Sequence, residues 1–128
     1  MDIRARLDPE MLAAMAESQR IRAGETFDLQ NLPAAREGYE RERRFWNRDG
    51  PALAEVRDLS IPGPYGAVPL RLYRPSPGGL LPALVFLHGG GFVLGRLDTH
   101  DRIMRLLADR SGAAVLGVRP LLHELHEV

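Results

Sequence analysis

"ALVFLHGGGFVLGRLDTHDRIMRLLADRSGAAVLGV", residues 83–118, decides the fold. Its opening, "ALVFLH", is continuously apolar, the pattern of a strand buried on both faces. Three consecutive glycines follow at 89–91, and each loses more backbone freedom on folding than any other residue. "THDRIMRLLADRSG" then sets Ile103, Met104, Leu106 and Leu107 at helical spacing, opening near Asp98 or Thr99 and closing at Gly112. "AAVLGV" reads as a second short buried strand. Strand, loop, helix, strand is a βαβ unit, whose two strands are expected to be parallel with a right-handed crossover.

Upstream, "AEVRDLSI", the turn residues "PGPYG" and the alternating "AVPLRLYRP" predict an antiparallel hairpin over residues 51–83. Pro69 lies inside the second of these strands. A proline has no amide for a ladder, so this strand is expected at a sheet edge. Residues 1–50 read as helical. Asp8 before Pro9 is a helix start, with a carboxylate to accept orphan amides and a residue preset for the first turn. Pro33 opens a second helix, in which Ala35, Tyr39 and Trp46 share one side. Arg36, Glu37, Glu40, Arg41 and Arg44 form a solvated face with i, i+4 pairs. Tyr39, Phe45 and Trp46 are expected to pack against a neighbour.

Bulk properties exclude several functions. A chain of 128 residues is one small domain. Its 45% hydrophobic and 27% charged content is that of an ordinary soluble globular protein. The formal net charge is zero with both signs interspersed, which points away from nucleic acid and anionic membranes as partners. All 17 basic residues are arginine, and cysteine is absent, so disulfides, thiolate nucleophiles and Cys-based metal sites are excluded. No signal peptide or membrane span is apparent, and a cytoplasmic protein is expected.

Three chemistries ask for glycines after a strand. A dinucleotide fingerprint needs glycines at positions one, three and six, but Leu94 occupies the sixth from Gly89. A phosphate loop needs Lys and Ser or Thr after its second glycine, but Arg96 and Leu97 follow Gly95. The third is an oxyanion hole, in which preset N–H groups receive the negative charge of an acyl-transfer intermediate. The end of a buried parallel strand is where open α/β sheets place ligands, and HGGG-type loops build such holes.

"HGGGF" at 88–92, with "IPGPYGAVPLRLYRP" before it and the βαβ segment around it, resembles the hormone-sensitive-lipase-like branch of the α/β-hydrolases, the fold-3 family of bacterial acetyl esterases. The resemblance covers roughly residues 5–118. It implies an α/β fold: the N-terminal part of an α/β-hydrolase, with two cap helices, a β-hairpin and a parallel βαβ unit in an incomplete sheet. Residues 1–50 would be the helical cap segment, 51–118 a partial core and 119–128 an atypical tail. The amides of Gly90 and Gly91 would serve the oxyanion hole, His88 and Gly89 would support the loop, and Phe92 would pack near the pocket. A small acyl ester would be the substrate, with no metal or other cofactor.

The sequence holds no G-x-S-x-G. Its serines are Ser18, Ser60, Ser76 and Ser111, none on a strand-to-helix turn flanked by glycines. The triad acid and histidine of the family have no counterpart either. The expected function is therefore an N-terminal fragment of a serine carboxylic-ester hydrolase, inactive alone. The alternative is a non-catalytic ligand- or anion-binding module on the same fold. His100 is expected to pack or cap. His123 and His126 in "HELHE" lack zincin spacing and a third ligand. The sheet is expected to leave an apolar edge bare, where self-association is possible.

Overall fold

The computed structural model describes residues 6–23, 28, 30–91 and 93–119. Phe92, His123 and His126 lie outside the described residues. Elements run α1 (Pro9–Ile21), α2 (Leu32–Trp46), β1 (Glu55–Gly63), β2 (Gly66–Arg74) and β3 (Ala83–Leu87). A 3-10 turn (Asp98–His100) leads into α3 (Asp101–Ser111), and β4 (Ala114–Val118) follows. The chain divides into two compact units, Met1–Glu42 and Arg43–Val128.

In the first unit, α1 starts where Asp8 and Pro9 predict. The Asp8 carboxylate accepts the Glu10 amide at 2.8 Å, satisfying one of the orphan donors of the first turn. The second helix begins one residue before Pro33. Asn31 caps it, its side-chain oxygen accepting the Ala34 amide at 3.3 Å. Ala35 is buried, while Tyr39 and Trp46 are half-buried. Glu42 is the one buried acid among the described residues, and Arg22 pairs with it at 2.8 Å.

The second unit is a four-stranded sheet of order β1-β2-β4-β3. The hairpin is antiparallel, from Glu55↔Arg74 to Gly63↔Gly66, with Pro64 and Tyr65 as its turn. In the βαβ unit β3 and β4 are parallel, Ala83↔Ala114 through Leu87↔Val118. Antiparallel pairing of β2 with β4, from Leu70↔Val118 to Tyr73↔Val115, joins the two motifs. The core collects on one face of this sheet, under α3: Tyr73, Leu97, Met104, Ala108 and Val115, with Leu53 and Phe86 against them. Gly112 closes α3 in the left-handed conformation, its amide reaching the Ala108 carbonyl at 3.0 Å.

Two strand expectations are corrected. β2 is interior, not an edge; β1 takes the edge. Pro69 is tolerated because it stands one residue past the β2·β4 register. There it needs only to accept, and its carbonyl takes the Arg119 amide at 3.0 Å. Likewise β3 is not buried on both faces: Leu84, Val85 and Leu87 are exposed, Val85 at 65% and Leu87 at 71%. Among the described residues β3 has a neighbour on one side only. The strand buried on both faces is β2, where Leu70 and Tyr73, on opposite faces, are 4% and 0% exposed.

Candidate active site

The glycine loop leaves the carboxyl end of β3. The backbone of Gly90 has φ 146° and that of Gly91 φ 59°, both in the region that L side chains resist. The Gly90 carbonyl accepts two amides, from Val93 (3.2 Å) and Leu94 (2.9 Å), which closes the loop into a tight turn. A side chain on Gly90 would overlap the Leu94 carbonyl. At Gly91 and Gly89, by contrast, a Cβ would meet open space. Among the described residues no carbonyl accepts the Gly90 or Gly91 amide. The turn therefore sets two neighbouring donors at a strand end without spending them on secondary structure.

His88 stands at the root of this loop. Its Nδ1 lies 3.0 Å from the Gly89 carbonyl, and a Cβ on Gly95 would come within 3.0 Å of the same side of the ring. The imidazole thus contacts Gly89 and leaves little room for a side chain at Gly95. Its face is stacked on the His100 ring, with centroids 4.8 Å apart and planes 15° from parallel. His88 Nε2 is buried with no hydrogen-bond partner among the described residues.

His100 occupies the N-cap position of α3, and its side chain makes no capping bond. Packing is what it does, against His88 and the tilted Phe86 ring at 6.3 Å. Its Nδ1 lies 2.9 Å from the Thr99 hydroxyl and 3.4 Å from the Arg96 carbonyl. Burial holds its pKa below the ordinary histidine value, the charges of His88 and Arg43 add to that, and the Arg96 carbonyl opposes it.

Capping of α3 comes from far along the chain. Asn47, just past α2, accepts the Arg102 amide at 2.8 Å and donates to the Thr99 and Arg43 carbonyls at 2.7 and 2.8 Å. A second set of ties reaches the same helix start from the sheet. Arg71 on β2 binds Asp98 at 2.6 Å while holding Asp58 at 2.5 and 3.1 Å. The fully buried Tyr73 donates its hydroxyl to Asp101 at 2.8 Å, and Arg105 binds the other oxygen of that carboxylate at 2.5 Å. Burial first, then Asp101, push the Tyr73 phenol above its usual range, so it stays a donor. None of these residues is signalled by motif. The only sequence hint is the polar run Asp98-Thr99-His100-Asp101 directly after the loop.

The serines stay apart from this geometry. Ser111 closes α3, donating to the Leu107 carbonyl at 2.6 Å and accepting the Ala113 amide at 3.1 Å. Ser76 lines an open cleft of about 400 Å³ with Glu55, Arg74 and Gly78. The strand register puts that cleft at the other end of the sheet from the glycine loop. Among the described residues no cluster of three or more His, Cys, Asp or Glu could hold a metal. No helix among them is long and apolar enough to cross a membrane.

Comparison with known proteins agrees with this architecture. Residues 84–119 match the model of the alpha/beta hydrolase fold. Acetyl esterases of Salmonella agona and Salmonella choleraesuis are each 51% identical over 88 residues, 69% of this chain. The chain spans about a quarter of the length of these relatives (27%). Among solved structures, the hyperthermophilic esterase of the archaeon Pyrobaculum calidifontis superposes with a TM-score of 0.73 at 36% identity, covering 88% of this chain and 36% of that one. An ester hydrolase from the metagenome of Lake Arreo does so with a TM-score of 0.75 at 33% identity, covering 88% and 37%. The chain belongs to the alpha/beta hydrolase fold-3 family of esterases and carries part of that fold.

Proposed function

We propose that this chain supplies the oxyanion-binding half of a serine carboxylic-ester hydrolase. The amides of Gly90 and Gly91 are the donors, and His88 and Gly89 support them. One observation carries the reading: two adjacent amides at a parallel strand's carboxyl end, fixed by a turn and given no carbonyl among the described residues. Such donors stabilise a tetrahedral oxyanion because they need no reorganisation as the charge develops. The substrate class is a small acyl ester, and the names of the acetyl esterases above favour acetyl. With no G-x-S-x-G in the sequence, these 128 residues alone form no acyl-enzyme.

Two measurements test this. The chain itself should show no burst and no turnover of p-nitrophenyl acetate above background. A chimera in which its 88 matched residues replace the corresponding stretch of the Salmonella agona acetyl esterase should hydrolyse that ester. Exchange of Gly91 for glycolic acid in the chimera replaces one N–H by oxygen and leaves the backbone shape intact. The expected loss in kcat is about 10²–10³-fold. An unchanged kcat would remove Gly91 from the hole.

A further inference from the structure

We propose that His100 is a positioning residue for the glycine loop, acting through its stack on the imidazole of His88. The proposal builds on the oxyanion reading of Gly90 and Gly91.

A chain of contacts, each link fixed from outside the loop, runs from the start of α3 to the glycines. His100 begins α3, and that helix start is tied to β2 by Arg71–Asp98 and Tyr73–Asp101 and to the residue after α2 by Asn47. The ring of His100 is held on the sequence side by Thr99 and the Arg96 carbonyl. Its open face meets His88 in a near-parallel stack. His88 in turn touches Gly89 at the entrance of the loop, and its ring stands where a Cβ on Gly95, at the exit, would crowd it. Between those two glycines lie the Gly90 and Gly91 amides, which no carbonyl among the described residues accepts. His88 has no other side-chain hydrogen bond among the described residues, and its buried Nε2 is unpartnered. The ring is therefore placed by shape and stacking, and the stack is the contact that His100 provides. Loss of that face would let His88 turn about its side-chain bonds, releasing the Gly89 carbonyl and the ring's fit beside Gly95.

Burial is the main cause that disfavours a proton on His100, so charging its ring works against the packing that holds the stack. The charged and titratable groups acting on His100 from neighbouring elements are His88, at the end of β3, and Arg43 in α2. Both oppose a proton on it. Acidification thus loosens the pair, and with it the loop.

The test uses this 128-residue chain labelled with ¹⁵N and ¹³C, and reads the amide signals of Gly89, Gly90, Gly91 and Gly95 beside the imidazole signals. His100→Phe keeps an aromatic face and is expected to retain the wild-type glycine positions. His100→Gln keeps polar contact but no ring and is expected to lose them, as is His100→Ala. The β1 and β2 signals should stay in place in all three. In the wild type, the four glycine signals should move in step with the His100 ring as the pH is lowered. A residue that merely filled space would leave them still. Wild-type glycine positions in His100→Gln or His100→Ala would overturn the proposal. So would displaced glycines in a folded His100→Phe, or glycine signals that ignore the titration of His100. If His100→Ala fails to fold, the Gln and Phe variants and the titration decide. No substrate enters these measurements. An unaffected glycolic-acid chimera would therefore refute the oxyanion reading alone, and an unmoved glycine spectrum the His100 proposal alone.

Discussion

Three consecutive glycines look like one feature, but their backbones make three different demands, and alanine scanning should separate them. At Gly90 alanine must adopt φ 146° and place its Cβ on the Leu94 carbonyl. Strain at such an angle costs about 1–3 kcal/mol. Relief means opening the turn and giving up the two amides that the Gly90 carbonyl accepts, at about 0.5–1.5 kcal/mol each. Either route costs about 2 kcal/mol. At Gly91 the angle is 59° and the space above is open. Entry into the left-handed well costs about 1–2 kcal/mol, and about 0.4–1 kcal/mol returns because alanine restricts the unfolded chain. At Gly89 the angle is ordinary and nothing stands within reach, so alanine is expected to stabilise by about 0.4–1 kcal/mol. The expected order is Gly89→Ala above wild type, Gly91→Ala slightly below, Gly90→Ala well below. The span is about 3 kcal/mol, or roughly 1–2 M in the urea midpoint. Urea unfolding followed by far-ultraviolet circular dichroism measures it. Equal midpoints for Gly89→Ala and Gly90→Ala would refute the loop geometry from which the two donors are argued.

Asn47→Ala removes the distant cap of α3 and is expected to cost about 0.5–2 kcal/mol in urea unfolding, although no short-range pattern marks the residue. Tyr73→Phe keeps the buried ring but deprives Asp101 of a donor. A cost of about 1–3 kcal/mol, with the near-ultraviolet dichroism of a folded chain retained, is the expected result of thermal or urea denaturation. Stability should fall on acidification through the histidine range. His100 holds its proton less readily folded than unfolded, so its contribution is complete above the unfolded pKa and is lost as pH falls through the folded one. Urea midpoints across that range should show a shallower fall in His100→Phe. The exposed apolar edge of β3 predicts concentration-dependent self-association, and Val85→Arg should suppress it in sedimentation velocity.

Local patterns made most of this fold legible. The βαβ unit and the hairpin follow from apolar periodicity and turn residues, and the ends of α1 and α3 follow from Asp8-Pro9 and Gly112. Strand order was not legible, because it is set by pairing between segments more than 40 residues apart, Leu70 with Val118 among them. The run "ALVFLH" records which side chains avoid water, not which element covers them. The double burial expected of β3 belongs in this chain to β2 for that reason. Pro69 misled for the same cause: a missing amide shows that one ladder bond is absent, but the place of that bond depends on where β4 ends. At the site, the glycines and His88 stood out through local composition. Asn47 and Arg71 did not, since an isolated asparagine or arginine gains meaning only from the helix start it meets.

That division has a physical consequence for the loop. The apolar layer under α3 fixes how far the helix stands from the sheet, but burial is non-directional and leaves the helix free to slide. Register along the sheet is set by the polar ties at its first turn. Arg71 gathers Asp58 and Asp98 around one guanidinium with Asp101 at 3.6 Å, and its proton is held far more firmly than in a free arginine, chiefly through Asp58. Tyr73 and Arg105 orient the two oxygens of Asp101 from either side. These directional bonds fix His100, and the stack passes that position to His88. Every group in this sequence comes from residues 43–119, so the placement of the two glycine donors is a property of the second unit itself. Arg71→Met, which keeps the bulk and removes the ties, should leave β1–β2 pairing intact while shifting the Gly90 and Gly91 amide resonances. Unshifted glycines in that variant would mean that burial alone fixes the helix.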